Sequence, residues 1–408
     1  MHILDQPRTP DEKGTDGTQE QLALDPVAFL QALIRCNTVN REGNEQALAD
    51  ILSGALLTCS NIELHEYPIE EGRCNLIARV RSERPGPRIV LSGHLDTVPI
   101  GNVPWSHDPF AAHIIDGQLY GRGAVDMKSG LAALLCAYLR IAEREPDSWC
   151  GELILAATSS EETGAEGAKV MVESGQLPAF DTMIIAEPTD NQLVISHKGV
   201  MWIKIISHGK ASHGSMPAAG INAIDRMQLL HARLSKRLRW DLTHPLLGSA
   251  SAEVTMMRAG VQPNMIPDKC EMTFDIRSLP GQEHASILEI VREEIQALGD
   301  SDSSCRFDLQ VLLDLPALSP AFGSPPASPA VEVALNVLEK TYGHPMHAQG
   351  AQYFTDGSIF QRIGGDILVL GPGSPSLAHQ VDEHVHVDDY LKAIEIYHQI
   401  LLALMASK

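Results

Sequence analysis

The sequence predicts an α/β protein with a mostly parallel central sheet, into which a smaller α+β domain is inserted. Three observations predict it. Apolar, strand-like runs alternate with helical segments, the pattern of a parallel sheet. Four of those runs, Arg88–Ser92, Glu152–Thr158, Thr182–Ala186 and Ile367–Leu370, each deliver a His or a carboxylate at or shortly after the carboxyl end, which is where open sheets of this kind bind ligands. Between about Lys198 and Asp314 the texture changes, to alternating strands interleaved with two helices.

Taken in order, residues 1–24 read as a flexible tail rich in Gly, Asp, Glu and Thr, with no basic region and apolar core of a secretory signal. Val27, Phe29, Leu30, Leu33 and Ile34 recur at helical spacing after Asp25-Pro26, a cap and first turn. A loop at Asn37–Gly43 leads to a second helix from Asn44. Strand-like runs follow at Ile62–Glu66, Asn75–Val80 and Arg88–Ser92, then a loop at Trp105–Phe110 and a Gly-rich stretch from Gly117. Leu131–Ile141 is apolar nearly all round, which predicts a buried helix. The strand Glu152–Thr158 runs into Ser159-Ser160-Glu161-Glu162, and Thr182–Ala186 into Glu187-Pro188-Thr189.

In the inserted region Val200–Ser207, Ala252–Ala259 and Cys270–Ser278 read as strands, and Gly220–Leu238 and Gln282–Leu298 as helices. A Pro- and Ser-rich linker, Leu318–Pro329, returns the chain to a helix ending at Tyr342. The expected domains are 25–197 with 315–408, and an insertion at 198–314.

Composition narrows the function. A chain of 408 residues with 44% hydrophobic and 20% charged residues is an ordinary globular protein with room for two domains. No apolar run reaches membrane-span length. The net charge of −21 argues against nucleic acid as a partner. Seven scattered cysteines without a CxxC pattern suggest reduced thiols in a cytoplasm.

The candidate chemistry gathers His94, Asp126, Glu162, Glu187 and His379. Two imidazoles and three carboxylates suit zinc, cobalt or manganese. Five ligands exceed the needs of one open tetrahedral zinc and suit two metals sharing a bridging carboxylate. Asp126, in a Gly-rich turn just before a helix, is the natural bridge. Asp96, two residues past His94 and so on the same face of an extended segment, can orient that imidazole. Glu161, beside Glu162, can take a proton from a water that the metals acidify. Each element alone has a plainer alternative: a polar strand end for His94 and Asp96, a solvated cap for the glutamate pair.

Together, SGHLDTVP, GRGAVDMKSG, SSEETGAEGA, AEPT and LGPGSPSLAHQVDEH resemble the zinc-dependent amidohydrolase and metallopeptidase family of acetylornithine deacetylase, succinyl-diaminopimelate desuccinylase, aminoacylase and glutamate carboxypeptidase. The match runs in the family's order over nearly the whole chain after the tail. In the insertion, HGKASHGSMP, GINAID, VQPNMIP and DIRSLPG resemble the family's lid motifs. The resemblance implies a zinc-peptidase-like catalytic domain with a dimerising lid. It implies His94 and Glu187 on one metal, Glu162 and His379 on the other, Asp126 as bridge, Asp96 orienting His94 and Glu161 as base. It also implies a cis peptide between Asp126 and Met127.

On the substrate side, the resemblance makes Arg277 and Asn264 contacts to a substrate carboxylate, and has His213 reach the partner subunit's site across a dimer interface. LGPGS and AHQVDEH sit closest to acetylornithine deacetylase. TDGSIF, which holds Thr355 and Gly357, is more like the desuccinylase and falls near the substrate in the family. His197, His208, His344, His384 and His386 are not needed as ligands. The reading is a cytoplasmic, homodimeric amidohydrolase with two Zn2+ (or Co2+ or Mn2+), acting on the amide bond of an N-acyl-L-amino acid, with no nucleic-acid or membrane partner. Its alternatives are a dipeptidase or carboxypeptidase with the same site, and a catalytically dead binding paralogue.

Overall fold

The first helix, Pro26–Arg35, starts where its cap predicts: the Asp25 carboxylate accepts from the Val27 and Ala28 N–H groups at 2.9 and 3.2 Å. Asn44 does the same for Glu45–Leu56, accepting from Ala47 N–H at 3.1 Å. The computed structural model describes residues 24–40, 43–319 and 328–406. The expected tail, apart from Leu24, and the middle of the return linker therefore lie outside the described residues. The chain divides into two compact units. One takes the described residues of 1–191 with 336–344 and 370–408, the other those of 192–335 with 345–369.

The first unit carries strands in the spatial order Glu63–Glu70, Arg73–Arg81, Cys150–Thr158, Arg84–His94, Thr182–Ile185. The first two pairings are antiparallel. Arg84–His94 lies parallel to both of its neighbours, with His94 opposite Thr158 and Ser92 opposite Ile185. That register levels three strand ends, so the residues just past them share one edge. The strand is longer than its apolar core predicts and ends on His94 itself.

The helix Lys128–Ala142 is buried at every position except Arg140. Its start packs so closely that a Cβ on Gly130 would come within 2.0 Å of the Ala186 carbonyl oxygen. Only glycine lets the helix seat against the turn that carries Glu187. A C-terminal helix, Val387–Leu404, lies beyond the last element read from the sequence. Its signal was present: Tyr390, Ala393, Ile394, Tyr397, Ile400 and Leu401 recur at helical spacing and are all buried.

The second unit contains a four-stranded antiparallel sheet in the order Ser251–Ala259, Lys269–Ser278, Gly199–His208, Arg306–Leu315. Lys269–Ser278 alternates strictly, with Cys270, Met272, Phe274 and Ile276 turned into a core shared with helices Ala223–Arg237 and His284–Ser301. Ser278 Oγ lies 2.7 Å from His284 Nε2, and His284 Nδ1 lies 2.5 Å from Asp314 Oδ1. This chain, buried at Ser278 and His284 and open to solvent at Asp314, ties a strand end to a helix start and to the last strand. The same unit holds Val194–His197, parallel to Gln349–Ala351 and antiparallel to Asp366–Val369. Among the described residues no helix is long and apolar enough to cross a membrane.

Candidate metal centre

His94, Asp96, Asp126, Glu161, Glu162, Glu187 and His379 all belong to the first unit. His94 closes its strand with its Nδ1 2.9 Å from the backbone oxygen of Asp96, so Nδ1–H donates to that carbonyl and Nε2 faces the carboxylates. Nε2 lies 3.0 Å from Asp126 Oδ1 and 3.7 Å from Glu187 Oε1. The second oxygen of Asp126, Oδ2, lies 3.3 Å from His379 Nε2. That same nitrogen is 3.0 Å from Glu162 Oε1. Asp126 thus offers one oxygen to each imidazole, the disposition of a bridging carboxylate. The Asp126–Met127 peptide is cis.

Asp96 does more than accompany His94. Its carboxylate, 3.4 Å from His94 Nδ1, accepts the N–H groups of Glu161 at 2.9 Å and of Glu162 at 3.2 Å. The nearer partner of the imidazole is therefore the Asp96 carbonyl, while the carboxylate also fixes the glutamate turn. Glu45 and Arg73, to which the sequence reading gave no role, hold the same turn. Glu45 accepts from Ser160 N–H at 3.2 Å, and Arg73 donates to Ser160 Oγ at 3.3 Å. Ser160 and His379 have φ of 56° and 63°, left-handed backbone that few side-chain-bearing residues adopt and that recurs at functional sites.

The loop carrying His379 is laced to the Glu187 turn. Thr189 N–H donates to the Gly371 carbonyl at 3.1 Å, and Gly371 N–H donates back to Thr189 Oγ1 at 3.0 Å. A Cβ on Gly371 would meet the carbonyl oxygens of Ala186 and Glu187 at 2.4 and 2.5 Å, so the approach depends on glycine.

The electrostatics follow from crowding carboxylates against two rings. Burial disfavours charge on His94, yet hydrogen bonding to Asp126 and Asp96 and the charges of Glu187 and Glu161 outweigh it and raise its pKa well above the usual value. Asp126, with Glu162, raises His379 to about 10. Burial works against the Asp126 carboxylate, but His379 and His94 hold its pKa well below the ordinary range. Burial, then the Asp126 charge, pushes Glu162 up.

The donor set fits divalent ions. Ligand atoms of His94, Asp126 and Glu162 lie within 4.8 Å of one another, as do those of His94, Glu161 and Glu187. Nitrogen and oxygen donors of this kind suit zinc, cobalt or manganese. Distance groups Glu161, like Glu162, with the ligands, so proximity does not separate base from ligand.

The remaining candidates lie in the second unit. His213 is exposed, and its Nδ1 accepts from Ser215 N–H at 3.2 Å. Asn264, also exposed, accepts Gly214 N–H on its backbone carbonyl at 2.7 Å, which pins the two loops together. Arg277 is half-buried and forms a two-pronged pair with Asp275 on its own strand, at 2.7 and 3.1 Å. Thr355 Oγ1 accepts from Gly357 N–H at 3.1 Å, opening the helix Gly357–Phe360. Thr355 N–H donates to His197 Nε2 at 3.2 Å, while His197 Nδ1 lies 2.9 Å from the Lys198 carbonyl oxygen. The buried His197 ring is therefore neutral and fully occupied, and burial lowers its pKa to about 4.

The chain is similar to known proteins over nearly its whole length. A probable succinyl-diaminopimelate desuccinylase from Staphylococcus aureus (strain MSSA476) is 31% identical over 415 residues, covering 94% of this chain and 98% of the relative. The metallo-carboxypeptidase Sso-CP2 of Sulfolobus solfataricus shares the fold with a TM-score of 0.76 at 17% identity, over 92% of this chain and 98% of its own. Aminopeptidase PepT from Bacillus cereus does so with a TM-score of 0.74 at 20% identity, over 93% and 98%. The profile of peptidase family M20/M25/M40 matches residues 90–403, and the chain is a hydrolase that belongs to that family.

Proposed function

We propose that this hydrolase cleaves the amide bond of an N-acyl-L-amino acid, releasing a carboxylate and a free amine, at a centre of two divalent metal ions. One observation carries the reading: the two oxygens of Asp126 face different imidazoles, with Glu162 and Glu187 beside them and Glu161 next in the chain to Glu162. His94 and Glu187 would hold one ion and Glu162 and His379 the other, with Asp126 shared between them. Ions held there, zinc by preference, with cobalt or manganese able to replace it, supply a lowered water pKa and a polarised carbonyl.

The chain's own residues do the rest. Asp96 fixes the Glu161 backbone, which aims the Glu161 carboxylate at the attacking water. Glu161 takes that water's proton as oxygen bonds to the carbonyl carbon. It then delivers the proton to the nitrogen as the C–N bond breaks. Residues 25–197 and 315–408 form the catalytic domain in this reading, and 198–314 the lid through which a homodimer forms.

His213 reaches the partner subunit's site. In the neutral ring, acceptance of the Ser215 N–H by Nδ1 puts the proton on Nε2, which makes the ring a donor suited to a developing oxyanion. Arg277 and Asn264 take the substrate carboxylate, with Thr355 and Gly357 nearby. The seven cysteines, all free thiols, support a cytoplasmic location.

The acyl group is the finer question. The name of the Staphylococcus aureus relative favours succinyl. The carboxypeptidase and aminopeptidase among the structural neighbours favour a second reading, a peptidase using the same centre. A panel of acetyl-, succinyl- and peptidyl-amino acids, assayed for primary amine with metal-loaded protein, decides. Turnover of acyl-amino acids over dipeptides supports the proposal, and turnover of dipeptides alone overturns it.

A further inference from the structure

Three ligand-bearing segments of the first unit meet at one buried ion pair. The Glu383 side chain is fully buried and lies 2.5 Å from Arg122 Nη1. It also accepts the N–H groups of Val125 at 2.8 Å, Asp126 at 3.0 Å and Gly123 at 3.2 Å. The Glu383 carbonyl accepts Gly121 N–H at 2.9 Å. Arg122 in turn donates from Nη2 to the Pro99 carbonyl at 3.1 Å and rests over the Trp105 ring at 5.1 Å.

Each of these contacts leads to a ligand. Pro99 ends the segment that begins near His94, the loop 121–126 ends on Asp126, and Glu383 follows His379 in the same loop. Successive backbone N–H groups converging on one anion form a nest, and here the anion is internal. An isolated buried carboxylate is expensive. This one is saturated by three backbone donors and a guanidinium, so the arrangement has one low-energy geometry. The loop has little slack elsewhere, because Gly123 sits at φ 82° and a Cβ there would meet Thr97 Cγ2 at 2.7 Å.

We propose that Glu383, paired with Arg122, is the positioning residue of the metal centre: it holds Asp126 square to both imidazoles and thereby sets metal affinity. The proposal rests on the two-metal reading above. A bridging carboxylate must serve two ions at once, so displacement of its backbone by a fraction of an ångström weakens at least one bond. Groups that orient ligands without touching the metal are typically worth about ten- to a hundredfold in affinity.

The test is a calorimetric titration of the chelator-stripped full chain with Co2+, followed by the visible absorption of the cobalt protein. Wild type should bind two ions. Glu383→Gln turns an amide NH2 toward at least one of the four donors that converge on the carboxylate. It should stay folded by circular dichroism, bind at least one ion about tenfold more weakly and shift the cobalt spectrum. If that variant does not fold, Arg122→Lys keeps the charge but loses the fork that reaches both Glu383 and Pro99, and should weaken binding by about three- to tenfold.

A folded variant with wild-type affinity and spectrum, even one with a lowered melting temperature, makes the pair merely structural and overturns the proposal. So does failure of both variants to fold. Wild type that binds no divalent ion overturns the two-metal reading itself, which separates the two failures.

Discussion

The carboxyl edge of the first unit and the loops of the second present the same residue types in opposite settings. At the edge, His94, Asp96, Glu161 and Glu187 are buried, and the Asp96 carboxylate is anchored to backbone N–H groups. Only His379 among the proposed ligands is exposed, on left-handed backbone. In the second unit His213 and Asn264 are exposed, and Arg277 is satisfied by a neighbour on its own strand. Burying this many acids is tolerable only if a cation sits among them. An exposed histidine costs nothing and acquires work only when something is brought to it.

The contrast predicts different losses. Glu161→Gln should lower kcat by roughly 10²–10⁴-fold, the range for a lost general base, while metal content stays near that of wild type. Steady-state kinetics with metal analysis check this. Loss of metal equal to that in Glu162→Gln would make Glu161 a ligand and erase the distinction.

His213→Ala should lower kcat by about 10²–10³-fold, as for a lost oxyanion donor, with metal content unchanged. Mixed and exchanged Glu161→Ala and His213→Ala chains should regain activity, because one hybrid site then has both groups intact. Subunit exchange without recovered activity would confine His213 to its own chain.

The edge should also be proton-linked. In the metal-free chain the carboxylates raise His379 to about 10, so that ring is protonated at neutral pH, and they raise His94 as well. Ligation needs neutral rings. Metal binding should therefore release roughly one to two protons, and affinity should fall as pH falls. Calorimetry at pH 7 in buffers of different ionisation enthalpy counts them, and no release would remove the imidazoles from the ligand set.

The smallest effect lies in the second unit. Burial lowers His197 to about 4 there, against about 6.5 unfolded. Between those values the unfolded chain binds the extra proton, so this contribution is complete above about pH 6.5 and is lost as pH falls toward 4. The full loss is roughly 3 kcal/mol. Urea midpoints at pH 7 and 5 should fall further in wild type than in His197→Asn, and parallel behaviour would clear His197.

Spacing and residue type alone determined much of this protein. Strand ends that deliver a His or a carboxylate named four of the five proposed metal ligands, because side chains at a parallel sheet's carboxyl edge share one side of the fold, and the Gly-rich turn before the helix Lys128–Ala142 named the fifth, Asp126. The near-continuous apolar run at Leu131–Ile141 foretold a helix buried nearly all round, Arg140 alone being exposed. What sequence could not reach was the set of contacts between distant segments. The Asp96 carboxylate holds the backbone of a turn 65 residues away, and Glu383 grips Val125 across 258. A lone Asp or Glu carries no local signature of such a partner. Its role arises only when folding buries the carboxylate among backbone N–H groups that water no longer satisfies.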